Sequence, residues 1–130
     1  MIGGDPLASS EFVAVAGDAA NGVHFTFAPD PRKNPASSDA VRAMRARQVE
    51  PEGWALFSYA TIQIFAEAMV KANSTEPRAV AQAVAGSRFA TAVGEVRFDA
   101  KGDNLQPGFV VYRWQGGKSD YAEGMGRQGN

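Results

Sequence analysis

Residues 94–118 read as strand, polar turn, strand, tight turn. In Gly94-Glu95-Val96-Arg97-Phe98-Asp99 the charged Glu95, Arg97 and Asp99 alternate with Val96 and Phe98, the period of a half-buried strand. Ala100-Lys101-Gly102-Asp103-Asn104 follows as a loop in which Gly102 can take a positive φ. Phe109-Val110-Val111-Tyr112-Arg113-Trp114 is a second β-prone run, closed by Gly116-Gly117. Strands must find hydrogen-bonded neighbours, so this segment commits the chain to a sheet.

The rest of the chain is mostly helical in pattern. Ala8 to Ala16 has good helix formers, with Asp5 and Pro6 as its start and Gly17 as its end. After a turn over Asp18 to Asn21, Val23-His24-Phe25-Thr26-Phe27 has high β propensity. Ala28 to Pro35 holds three of the chain's seven prolines and reads as a crossing segment. Ser37 or Ser38 can cap a helix to about Gln48, with Val41 and Met44 inward and the arginines outward. The strongest helix runs from Trp54 to Ala72, where Trp54, Phe57, Tyr59, Ile62, Phe65, Met69 and Val70 make a wide apolar stripe expected to face the core. Glu76-Pro77 opens a third main helix to about Ala85, and Phe89 to Val93 leads into the strands. The tail after Glu123 is glycine-rich and is expected to fray.

This order is an α/β pattern with three main helices and few strands to serve them. Partners for the strands are therefore expected outside the chain. Met1-Ile2-Gly3-Gly4 reads like the end of a buried strand cut off from its start, as in a fragment.

Composition excludes several classes. The 130 residues are 45% hydrophobic and 21% charged, enough for a real core. A net charge of −1 leaves no basic footprint for nucleic acid, and Arg42, Arg45 and Arg47, the densest basic group, read as a solvated helix face. There is no cysteine, hence no disulfide or thiol chemistry. No apolar run approaches a membrane span, and no signal peptide is visible at the start.

Chemistry-bearing residues are few. Asp5 follows two glycines at the end of an apolar run, where ligands of α/β sheets sit, and a carboxylate there can pair with an ammonium group. The other reading of Asp5 is an acid at a helix start, facing the dipole. Trp54 reads from periodicity as a core aromatic. His24, the single histidine, reads as a strand residue rather than a metal ligand or a member of a triad. Asp99, Asp103 and Asn104 lack the spacing of a calcium loop, and Gly116-Gly117 is not a phosphate loop. Neither a cofactor, nor a metal site, nor enzymatic activity is expected.

Taken in order, the pieces resemble the C-terminal portion of the periplasmic leucine/isoleucine/valine-binding proteins, the solute receptors of branched-chain amino acid ABC transporters. Gly3-Gly4-Asp5 resembles the strand end facing the ligand cleft. Gly17-Asp18-Ala19-Ala20-Asn21-Gly22 resembles the turn before the strand that leaves the second lobe, and Phe27-Ala28-Pro29-Asp30-Pro31 a crossing between lobes. Glu50-Pro51-Glu52-Gly53-Trp54 with Tyr59-Ala60 resembles the opening of the long first-lobe helix. Phe98 to Asp103 and the region of Tyr112-Arg113-Trp114 complete the set.

The resemblance implies a partial type I periplasmic-binding fold, the C-terminal fragment of a two-lobe receptor. Residues 1–26 would be a second-lobe segment, 27–110 the returning first-lobe segment, and 111–130 the second-lobe return and tail. Asp5 would hold the ammonium of an amino acid, and Trp54 would line the cleft wall. Binding would proceed without catalysis, by lobe closure about hinges at Thr26-Phe27-Ala28 and Val111-Tyr112. A periplasmic location, an amino acid or related small carboxylate as ligand, and an ABC permease as partner would follow. The alternative is a stand-alone fragment acting as an oligomerising interaction module. On either reading, Val23 to Phe27 and Phe109 to Trp114 must pair with each other or with a second copy.

Overall fold

Those two β-prone runs pair with each other. In the computed structural model, which describes residues 1–106 and 108–122, β2 (His24–Phe27) and β5 (Val110–Gln115) form an antiparallel ladder. Its register sets Phe25 opposite Tyr112 and Phe27 opposite Val110. β1 (Ile2–Gly3) adds in parallel beside β2, and β6 (Lys118–Tyr121) folds back antiparallel on β5, so the sheet runs β1-β2-β5-β6. The tight turn between β5 and β6 uses Gly116 and Gly117, both at positive φ. The glycine-rich tail expected to fray lies outside the described residues.

The chain divides into two compact units. The first comprises Met1–Pro29 and the stretch from Gly108 on; the second is Asp30–Pro107. In the first, alternation puts Val23, Phe25, Phe27, Val110, Tyr112 and Trp114 on one buried face of the sheet. Helix α1 (Ser10–Ala16) sets Phe12 against Trp114, ring centroids 6.1 Å apart.

α1 starts later than the residue pattern implies. Ser9 caps it by accepting from the Glu11 amide, and Asp5-Pro6-Leu7 forms a separate one-turn 3-10 helix. Gly17 ends α1 at φ +52, as expected.

The second unit holds α2 (Ser38–Ala46), α3 (Ala55–Ala72), α4 (Pro77–Ala85) and the hairpin β3 (Arg88–Thr91) with β4 (Gly94–Arg97). Val41 and Met44 point inward as expected, onto a small cluster of Ala40, Leu56 and Ala92. The serine cap of α2 is absent. The Ser37 and Ser38 hydroxyls donate backward to the Asn34 and Pro35 carbonyls, each at 2.8 Å. β4 pairs with β3 rather than with β5, so the two strands that open the sequence reading belong to different units.

The apolar stripe of α3 is the largest departure. Leu56, Ala60 and Ala68 are its buried residues, and Ala68 joins Val80 and Phe89 in a second core cluster. The stripe expected to face inward is exposed: Ile62 is 67% and Val70 79% accessible, and Trp54, Tyr59, Phe65 and Met69 are exposed as well. The cause is that α3 is apolar almost all round, so periodicity alone cannot choose a face. Small Ala60 and Ala68 let neighbouring elements approach closely, with Leu56 and Ile64 packed inward beside them, while Ile62, Phe65, Met69 and Val70 point away.

Candidate functional site

Asp5 stands at the first position of the Asp5–Leu7 turn, just beyond β1. Pro6 follows, with its φ locked at a value compatible with such a turn. The Leu7 amide donates to the Gly4 carbonyl at 3.1 Å, and the Ala8 amide to the Asp5 carbonyl at 3.0 Å. The Trp114 indole N–H, from β5, donates to the Leu7 carbonyl at 2.9 Å. Gly3 makes room beneath, since a Cβ there would stand 2.5 Å from Leu7 Cδ1.

The Asp5 side chain is partly buried. Among the described residues none donates to its carboxylate or pairs with it. It lies outside α1, whose first-turn acid is Glu11. The arrangement offers an acceptor group, at the carboxyl end of a parallel strand, to a cationic donor.

Trp54 belongs to the second unit. Gly53, at φ +52, turns the chain into α3, and Trp54 is the residue just before its first turn. Its ring lies edge-on to Phe57, centroids 5.4 Å apart at 65°, and is half exposed. It is therefore not the core aromatic that periodicity implies, but an accessible aromatic surface at a helix start.

At the other end of the Phe27–Pro31 crossing, Asp30 begins the second unit and accepts from the Arg32 backbone amide, Nε and Nη2 at 3.0, 2.9 and 2.9 Å. Arg32 also reaches Glu50 at 3.6 Å, and Arg45 binds Glu50 through two hydrogen bonds of 2.8 and 2.7 Å. Burial pushes the Asp30 carboxyl up, but the Arg32 hydrogen bonds and charge hold it below the ordinary aspartate value. The Arg45 hydrogen bonds likewise hold Glu50 below its ordinary value. On the first unit's side, the Tyr112 hydroxyl donates to the Ala28 carbonyl at 2.9 Å.

His24 sits in β2 with Arg113 as its register partner, a strand residue as expected. Asp99 uses its carboxylate within its own loop, accepting from the Lys101 and Asp103 amides at 2.9 Å. Two contacts escaped sequence reasoning: Trp114 to Leu7, 107 residues apart, and Tyr112 to Ala28, 84 apart. The β propensity of Phe109 to Trp114 marked the strand that carries both rings but could not name their polar partners.

The sequence profile of the family described as Periplasmic binding protein matches residues 2–119. The chain is 42% identical over 118 residues to "Leu/Ile/Val-binding protein homolog 1" of Brucella abortus, covering 90% of this chain and 32% of that protein. It is 38% identical over 125 residues to "Leu/Ile/Val-binding protein BraC3" of Rhizobium johnstonii, covering 95% and 34%. This chain thus spans about a third of the length of these relatives. Among solved structures, the leucine binding protein LivK of Thermotoga maritima superposes with a TM-score of 0.81 at 24% identity, over 93% of this chain and 35% of that one. LivJ of Streptococcus pneumoniae, solved with isoleucine, gives 0.76 at 23%, over 94% and 36%. At such identities these two likenesses establish the fold, that of a partial type I periplasmic binding protein.

Proposed function

Because this chain belongs to the periplasmic binding protein family, we propose that it is the C-terminal part of an extracellular substrate-binding receptor for branched-chain or related amino acids, serving an ABC permease in the periplasm. The single observation that carries this reading is the Asp5 carboxylate, placed beyond β1 and, among the described residues, without a partner. In this reading Asp5 accepts from the ligand ammonium, and Trp54 offers an aromatic wall. Binding is non-catalytic and works by shifting lobes toward a closed state. Residues 1–26 and 111–130 belong to one lobe and 27–110 to the other. The division of the chain at Pro29–Asp30 and Pro107–Gly108 supports that assignment within a few residues. The test is calorimetry of a receptor carrying this segment with a panel of amino acids, with and without Asp5→Ala. Undiminished leucine affinity in the variant would remove Asp5 from the site.

A second reading is favoured by the exposed face of α3. Ile62, Phe65 and Met69 recur at three- and four-residue intervals beside Tyr59 and Val70, the spacing of a helix-pairing seam. On that reading the 130-residue chain self-associates through α3. Light scattering coupled to size exclusion separates the two readings.

A further inference from the structure

We propose that Trp114 is the positioning residue for the Asp5 carboxylate, an inference that rests on the reading of Asp5 as the ammonium contact. An indole has one donor, and Trp114, only 5% exposed, directs it at the Leu7 carbonyl. The ring cannot swing away, because Phe12 packs against it at 6.1 Å and Phe25 at 5.9 Å. Leu7 closes the same turn that Asp5 opens.

A three-residue helical turn has no ladder to propagate and does not persist by its own hydrogen bonds. Its two ends are held from outside instead. β1 anchors the Gly3 side through its pairing with β2, and Trp114 clamps the Leu7 side. β2 and β5 are themselves paired, so both anchors belong to one rigid ladder. Asp5 is thereby fixed to the sheet before any ligand arrives, and a primary ammonium of an α-amino acid meets an acceptor already in place. Trp114 needs no contact with the ligand for this role.

The experiment uses the full 130-residue chain, isotope-labelled, with Trp114→Phe, which keeps an aromatic ring between Phe12 and Phe25 but removes the donor. Amide exchange at Leu7 and Ala8 is expected to quicken roughly threefold to tenfold, the loss of one hydrogen bond, while the β2–β5 amides keep their rates. Titration with millimolar L-leucine is expected to shift the Asp5 region, with several-fold weaker affinity in Trp114→Phe. Unchanged exchange at Leu7 and Ala8 would overturn the proposal. So would quickened exchange with full leucine affinity, or the absence of any leucine-induced shift in the unaltered chain. Asp5→Asn separates the two levels: if it abolishes the leucine shift while Trp114→Phe does nothing, the Asp5 reading stands and the positioning role falls. If Asp5→Asn leaves the shift intact, the Asp5 reading falls, and the proposal with it. Should Trp114→Phe not fold, the unaltered chain decides: Leu7 and Ala8 amides exchanging as fast as in an unstructured peptide also overturn the proposal.

Discussion

Phe25 and Tyr112 stack across the β2–β5 ladder, ring centroids 5.1 Å apart and ring planes 8° from parallel. The Tyr112 hydroxyl then reaches past the end of β2 to the Ala28 carbonyl. One side chain thus serves the core of the first unit and also fixes where the chain leaves it.

Tyr112→Phe keeps the ring pair and removes that one hydrogen bond. Its expected cost is about 1 kcal/mol, visible as a lower urea midpoint with an unchanged slope. A midpoint equal to that of the unaltered chain would mean that water replaces the hydroxyl at no loss.

Acid should weaken the start of the second unit. Asp30 and Glu50 are both held below their ordinary values by their arginine partners. A carboxyl with a depressed folded-state value contributes stability that is present above its unfolded value, about 4, and lost as pH falls through the lower folded value. Urea melts from neutral pH to about pH 3 should therefore lose stability across that window. Asp30→Asn should be less stable at neutral pH and show a shallower decline. A decline of equal steepness in the variant would assign the acid sensitivity elsewhere.

In a receptor carrying this segment, Asp5→Ala should weaken amino-acid binding by about 2–5 kcal/mol, the usual cost of stripping one partner from a desolvated charge pair. Glu52→Ala removes a loop charge and should cost no more than about 1 kcal/mol. The 130-residue chain by itself should bind leucine more weakly than micromolar. Calorimetry measures all three, and equal losses for the two variants would make Asp5 an ordinary turn acid.

The exposed face of α3 gives the 13.8 kDa chain a reason to self-associate. Light scattering at micromolar concentration should return a mass above that of one chain, and Ile62→Lys with Phe65→Glu should restore the single-chain mass without unfolding. A concentration-independent mass of one chain in the unaltered protein would rule out this seam.

What could be read from the residues was local and periodic. The β propensity of Val23 to Phe27 and Phe109 to Trp114 located both strands. It also left two choices of partner, of which pairing with each other is the one realised. Glu95 and Val96 fall on opposite sides of β4, as their alternation requires. Gly17 and Pro77 marked helix limits because their backbone restrictions act at one residue.

What could not be read depended on partners distant in sequence or on competing local bonds. An all-round apolar α3 gives no signal for which side meets Phe89 and Val80. Ser37 and Ser38 hold the right side chains for a cap, yet the nearer Asn34 and Pro35 carbonyls capture their hydroxyls. Of the candidate site, Asp5 stood out from its place after two glycines at a strand end, whereas Trp54 was singled out through the order of pieces along the chain. The clamp from Trp114 has no local signature.

Phe27 and Val110, the last paired residues of the β2–β5 ladder, have a consequence for engineering. The chain departs from one and returns to the other, so the whole of Asp30–Pro107 is threaded between two neighbouring strand ends. Antiparallel partners stand roughly 4.5–5.5 Å apart, a gap that a two-residue hairpin turn spans. Replacing residues 28–109 with such a turn would splice β2 directly to β5 and yield a miniature of the first unit with its aromatic face intact. The second unit is, in that sense, a cassette, and the ladder end is the socket that accepts it.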